Sequence, residues 1–333
     1  MSLSLGTRFG PYEVLAPIGA GGMGEVYRAR DSRLGRMVAI KILPEHLSSQ
    51  PQFRERFERE ARAVSSLNHP HICTLHDLGR EGGVDYVVMK YLEGETLAKR
   101  LTKGPLPPDQ ILEYAIQITE ALDTAHRHGV IHRDVKPGNI MLTKQGAKLL
   151  GFGLAKMREA GVAASRSALP TQSTPLTGEG AVMGTLQYMA PEQLEGKEAD
   201  ARTDLFALGA VIYEMAAGRK AFDGASQASL ISAIMTSEPP PISIIQSMSP
   251  PALEHAVRTC LAKDPDARWS TAHDVLVELK WIAARQSQAE ETPQGLPLLR
   301  RNVPWVVAAI SCFAIAVVAI GLAFSHFSRV SGE

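Results

Sequence analysis

Between two apolar runs the chain reads Ile131-His132-Arg133-Asp134-Val135-Lys136-Pro137-Gly138-Asn139, which sets a carboxylate, an amine and an amide within one short span. Each group has its own chemistry. Asp134 can orient a hydroxyl and take its proton, Lys136 can neutralise a phosphate oxygen, and the amide oxygen of Asn139 can hold a metal ion. A solvated turn would also suit Pro137 and Gly138. A turn, however, does not require Arg, Asp, Lys and Asn at fixed offsets, and groups with matching roles lie on both sides.

Upstream, Tyr12 to Leu15 reads as a strand, followed by Gly19-Ala20-Gly21-Gly22-Met23-Gly24-Glu25-Val26 and a second strand. A lone G-x-G-x-x-G is weak. The dinucleotide fingerprint needs a helix directly after it, and Val26 to Arg30 is strand-like, so the spacing predicts a hairpin whose glycine amides can approach phosphates closely. Val38-Ala39-Ile40-Lys41 is an apolar strand ending in a lysine. In Gln52 to Leu67 the residues Phe53, Phe57, Glu60, Val64 and Leu67 follow helical spacing, which places Glu60 inside an apolar stripe while Glu55 and Glu58 fall off it. A carboxylate aimed inward needs a cation. His69, His71, Cys73 and His76 fit no common zinc spacing, and Pro70 suggests a turn into a strand. Tyr86 to Met89 is a further strand, leading to Lys90-Tyr91-Leu92.

Asp109 to Arg127 carries Ile111, Leu112, Ala115, Ile118, Leu122 and Ala125 on one helical face, stopped by Gly129. This helix delivers the 131–139 loop. Beyond the loop a short hairpin (140–142, 147–150) leads to Gly151-Phe152-Gly153, then to a stretch rich in Ser, Thr, Gly and Pro over 154–189. By composition alone that stretch is a linker. Asp204 opens a strongly apolar helix that runs to Ala217 and is stopped by Gly218.

The 131–139 loop resembles the catalytic loop of protein kinases, and Lys136 resembles the Ser/Thr-specific branch. The likeness extends over about residues 12 to 282 and is nearest to bacterial membrane-anchored Ser/Thr kinases. It implies an α+β, two-lobed fold, with a β-rich lobe at 12–92, a helical lobe at 93–282 and ATP between them. In that likeness Asp134 is the base, with Lys136 stabilising phosphate. Gly19, Gly21, Gly22, Gly24 and Val26 form the Gly-rich loop, and Lys41, paired with Glu60, clamps the phosphates. Met89 is the back wall of an adenine hinge at Lys90 and Leu92, where Lys90 replaces a frequent Glu. Asn139 is a ligand to Mg²⁺ or Mn²⁺. Gly151 stands where the family has a metal-binding Asp, so metal binding is expected to be weakened. Residues 154–189 become an activation segment, closed by Gly184 to Glu192, whose phosphate Arg133 could receive. Asp204 and an Arg268–Glu192 pair are implied to be structural. The expected activity is phosphorylation of protein Ser/Thr; the alternative is a pseudokinase that holds nucleotide or a partner. The family also leaves room for a homodimer through this domain.

Lys plus Arg equal Asp plus Glu at 35 each, so nothing global points to nucleic acid. Cys73, Cys260 and Cys312 are scattered and imply no disulfide framework. Met1 to Pro11 lacks the apolar core of a signal peptide. Polar residues 283–302 read as a juxtamembrane linker. Val303 to Phe324 carries no charge and as a helix spans about 33 Å, a transmembrane length, with Trp305 near one end and a short tail at 325–333. Arg300 and Arg301 precede it and only Arg329 follows. Positive-inside bias therefore puts the kinase-like part in the cytoplasm of a single-pass cell-membrane protein.

Overall fold

The computed structural model describes residues 4–21, 24–43, 51–152, 186–246 and 249–291, together with Ser311 and 318–321. The chain divides into two units, Met1–Ala284 and Arg285–Glu333.

The first unit opens with an antiparallel sheet of β1 (Arg8–Phe9), β2 (Tyr12–Gly21), β3 (Gly24–Asp31), β4 (Arg36–Ile42), β5 (Leu75–Glu81) and β6 (Val84–Lys90), ordered β1-β2-β3-β4-β6-β5. Alternating Tyr12 and Val14 on β2, Tyr27 and Ala29 on β3, and Val38 and Ile40 on β4 are buried together with Val88, the two-residue period of a half-covered sheet. Helix α1 (Pro51–Ser65) lies against this sheet through Phe57 and Ala61, which pack with Leu43 and Val87.

A small second sheet joins β7 (Glu95–Thr96), β8 (Ile140–Thr143) and β9 (Gly146–Leu149), and the catalytic-loop sequence runs directly into β8. Gly94, at φ 146°, precedes β7; a Cβ there would sit 2.0 Å from the carbonyl oxygen of Leu142, so only glycine allows this approach. β9 is tied to residues before the first lobe's last strands. Leu149 N–H donates to His71 C=O at 2.8 Å and Cys73 N–H donates to Leu149 C=O at 2.9 Å.

The larger core is helical: α2 (Leu97–Leu101), α3 (Pro108–Arg127), α4 (Pro191–Leu194), α5 (Ala201–Ala217), α6 (Gln227–Thr236), α7 (Ile242–Ile245), α8 (Pro251–Cys260) and α9 (Ala272–Glu291). The expected face of α3, Ile111, Leu112, Ala115, Ile118, Leu122 and Ala125, is buried throughout, and its large aliphatic side chains each contribute about 1.5–3 kcal/mol of hydrophobic stabilisation. α5 is buried on every side from Thr203 to Ala217, as an apolar helix at the centre of a lobe must be, and Gly218 caps it at φ 67°. A Cβ on Gly209 of α5 would come within 2.6 Å of Cys260 Cβ, which is how closely α5 and α8 pack.

α9 continues through Glu291, into the stretch read as a linker from 283. Ala283-Ala284-Arg285-Gln286 and the Glu residues that follow are good helix formers, and propensity extends the helix past its apolar pattern. In the second unit Ser311 and residues 318–321 are helical. Among the described residues no helix is long and apolar enough to cross a membrane. The expected span at 303–324 otherwise lies outside the described residues, as do the tail at 325–333, Gly22, Gly153 and residues 154–185 of the expected activation segment.

Candidate active site

The loop between α3 and β8 carries Asp134, Lys136 and Asn139, the groups expected to react, and its backbone is held from α5. Asp204 in the first turn of α5 is buried. Its carboxylate accepts the N–H groups of His132 and Arg133, each at 2.7 Å, and lies 2.9 Å from His126 Nε2 at the end of α3. Asp204 is therefore the structural post that the family resemblance implied. His132, buried, accepts the Asp134 N–H at Nδ1 (3.2 Å), which leaves the proton on Nε2 to donate to Leu150 C=O at 2.9 Å. The ring of Phe152 lies 4.7 Å from that of His132. Arg133 adopts φ 62° and is the one non-glycine residue in the left-handed region among the described residues, a conformation that costs about 1–2 kcal/mol and persists only where the surroundings impose it.

Asp134, Lys136 and Asn139 converge as their spacing predicts. Lys136 Nζ is 2.9 Å from Asp134 Oδ2, and Asn139 Nδ2 donates to the same oxygen at 2.7 Å and to Asp134 C=O at 2.8 Å. The carboxylate is thus held in one rotamer by a cation and an amide. Pro137–Asn139 forms a single 3₁₀ turn, with Asn139 N–H donating to Lys136 C=O at 2.9 Å, and that turn sets the offset between the three side chains.

Lys41 sits on β4, paired in register with Val26 of β3 and Val87 of β6. Burial pushes its ammonium below the ordinary lysine value; Asp134 opposes that shift and Lys136 adds to it, so all three belong to one electrostatic site. Gly19 faces Val26 and Gly21 faces Gly24 across the β2–β3 hairpin, so the glycine stretch turns back on itself as a hairpin. Met89 and Lys90 end β6; Lys90 N–H donates to Thr74 C=O at 2.9 Å, and Leu92 follows in the crossing to the helical lobe.

Glu60 corrects the sequence expectation. Its stripe position on α1 does turn it inward, but its carboxylate meets Arg133 Nη1 at 3.3 Å rather than Lys41. In this conformation the loop arginine meets that inward carboxylate. Both side chains are 34% exposed, so the pair is worth about 1 kcal/mol or less. Arg133, expected to receive a phosphate, is engaged here with Glu60.

Gly151 follows Leu150 with φ 73°. A Cβ built on it would lie 3.9 Å from Asn139 Oδ1, and since Asn139 Nδ2 is committed to Asp134, that oxygen faces position 151. The amide oxygen of Asn139 is a neutral oxygen of the kind a divalent ion would take. Gly151 itself offers no side-chain ligand.

Other residues of the site region escaped sequence reasoning. His126 extends the stripe of Ile118 and Leu122 by one more turn, and a polar residue in an apolar stripe was the available signal. Glu214, inside the apolar α5, accepts from Tyr188 Oη at 2.5 Å and from Lys220 Nζ at 2.6 Å, and Lys220 also bonds Tyr188. These contacts pin the segment entering α4. Arg268 makes the implied fork on Glu192, with both nitrogens at 2.7 Å from the two carboxylate oxygens. The histidines after α1 have structural partners: His71 Nδ1 is 2.8 Å from Ala147 C=O and His69 Nδ1 accepts the His71 N–H at 3.2 Å.

The protein kinase domain family model matches residues 12–282. The chain is 39% identical over 291 residues to the serine/threonine-protein kinase PknB of Mycolicibacterium smegmatis, covering 86% of this chain and 44% of that protein. It is also 39% identical over 273 residues to PrkC of Bacillus subtilis, covering 81% and 40%. The chain therefore spans less than half the length of these curated relatives. Among solved structures, the PknI kinase domain of Mycobacterium tuberculosis matches with a TM-score of 0.65 at 28% identity, over 85% of this chain and 100% of that one. Rad53 1–466 in complex with AMP-PNP matches with a TM-score of 0.65 at 25% identity, over 82% and 65%. With a two-lobed fold, a catalytic-loop cluster on Asp134 and a family match across both lobes, the chain belongs to the protein kinase family, alongside bacterial Ser/Thr kinases of the PknB and PrkC kind.

Proposed function

We propose that the chain transfers the γ-phosphate of ATP to Ser and Thr hydroxyls of proteins, slowly and with atypical metal use. The observation that carries this is the Asp134 carboxylate, fixed 2.9 Å from Lys136 Nζ and 2.7 Å from Asn139 Nδ2 in the same electrostatic site as Lys41. Asp134 orients the acceptor hydroxyl and takes its proton, while Lys136 and Lys41 meet the negative charge of the phosphates. Phosphoryl transfer depends on positioning and electrostatics, and these residues supply both. A divalent ion, when bound, would neutralise charge between the phosphates, and Asn139 is the residue placed to hold it. Gly151 supplies no carboxylate there, which is the reason for expecting weak metal binding. The likeness to Rad53, solved with AMP-PNP, supports an adenine nucleotide as the donor.

The test is transfer of labelled phosphate from ATP by the full chain, purified in detergent, with Mg²⁺ and Mn²⁺ series. Transfer lost in Asp134→Asn and ATP binding weakened on the order of tenfold in Lys41→Ala are the expected results. ATP binding without transfer under either metal would instead assign the chain a pseudokinase role.

Residues 303–324 act as a membrane anchor with the kinase domain on the cytoplasmic side. The support is an uncharged run of transmembrane length with Arg300 and Arg301 before it. The chain should fractionate with membranes, and deleting 303–333 should release it. A deletion variant that stays membrane-bound would refute the anchor.

A further inference from the structure

We propose that Gln193 is a positioning residue for Asp134, linking the residues that enter α4 to the catalytic loop; the proposal rests on the kinase reading above. Gln193 Oε1 accepts the Ala190 N–H at 3.1 Å, and its Nε2 donates to the Arg133 C=O at 3.3 Å. One face of the amide requires an acceptor and the other a donor, so the two partners together fix its orientation and call for an amide side chain. Its position matters because of what it holds. Arg133 is the left-handed residue immediately before Asp134, and its N–H is held by Asp204 while its guanidinium meets Glu60. Its carbonyl belongs to the peptide group whose N–H is Asp134's own, the group that donates to His132 Nδ1. Gln193 therefore fixes the tilt of the peptide plane that aims Asp134, from a short helix entered through residues 186–190. Through Gln193, Ala190 at the start of α4 and the peptide group before Asp134 are connected by one side chain.

A capping role and a positioning role are separable by one substitution. Gln193→Glu keeps an oxygen for the Ala190 N–H, and Glu is well suited to that position in a capping box. It removes the donor to Arg133 and sets an anionic oxygen against a carbonyl. In the full chain, Gln193→Glu should melt within about 2 °C of wild type yet lose on the order of tenfold in kcat, the equivalent of one hydrogen bond, with KM for ATP unchanged. Amide hydrogen exchange over 132–135 should be faster in the same variant, a readout that needs no activity and stays informative if the wild type transfers no phosphate. Gln193→Leu should lose both thermal stability and rate. Wild-type kcat in Gln193→Glu, or unchanged exchange at Arg133 and Asp134, would overturn the proposal and leave Gln193 a helix cap.

Discussion

Gly151→Asp tests the account of the metal site directly, and the structure sets its size. Space is available, since the new Cβ would make ordinary van der Waals contact with Asn139 Cγ and Oδ1, both at 3.9 Å. The backbone is the cost. At φ 73° an L-residue is strained by about 1–2 kcal/mol, and Asp is among the side chains that tolerate this region best. A loss of about 1 kcal/mol lowers the melting temperature of a domain this large by roughly 2–4 °C. Against that, the carboxylate would sit on the side that Asn139 Oδ1 already faces, giving a divalent ion a charged ligand beside a neutral one. Restoring one charge-stabilising group of this kind is worth on the order of 10²–10³ in rate, by analogy with oxyanion-hole donors. The assay is the initial rate of γ-phosphate transfer as Mg²⁺ and Mn²⁺ are varied, with a thermal melt of the same preparations. A large gain in Mg²⁺-dependent rate, a lower apparent metal requirement and a slightly lower melting temperature are expected together. Full Mg²⁺-dependent turnover by the wild type, unchanged in a folded Gly151→Asp, would mean that another group holds the metal and would refute the reasoning.

Two further outcomes follow from named contacts. Arg133→Met removes the cation that meets Glu60 at 3.3 Å and should cost about 1 kcal/mol or less in urea denaturation, because both side chains of the pair are about one-third exposed; a cost of several kcal/mol would contradict that assignment. Arg268→Met leaves the buried Glu192 carboxylate without its fork and should cost about 3–5 kcal/mol in urea denaturation at pH 7. Burial raises the Glu192 pKa, but the Arg268 fork outweighs it and holds the carboxyl below its ordinary value, so in wild type this stabilisation is present above that value and is lost as pH falls through the folded one. With the fork gone, burial is opposed only by a backbone N–H and the Thr203 hydroxyl, so the folded value rises from its wild-type position and the penalty in Arg268→Met should shrink between pH 7 and pH 5. A penalty that grows over that interval would contradict the assignment.

The legible features were those in which one residue's position determines its neighbourhood. Asp134, Lys136 and Asn139 are close in sequence and joined by the one 3₁₀ turn at Pro137–Asn139, so their spacing in sequence is nearly their spacing in space. The α3 stripe was legible for the same reason, because a helix converts an i, i+3, i+4 pattern into a face. Glu60 was half legible. Its stripe position shows that it turns inward but does not choose between Lys41 and Arg133, because that choice depends on where α1 sits against the loop, and a pair this exposed adds too little energy to dictate it. Gln193 was not legible, since a glutamine after Pro191-Glu192 is unremarkable until its two amide atoms are seen between Ala190 and Arg133. These two residues meet at Arg133, whose side chain, N–H and C=O are held by α1, α5 and α4 in turn. A residue clamped from three elements can keep a strained φ, and each clamp then bears on the residue that follows it. Shifts of α1 or of residues 186–190 entering α4 can therefore reach Asp134 through one peptide group.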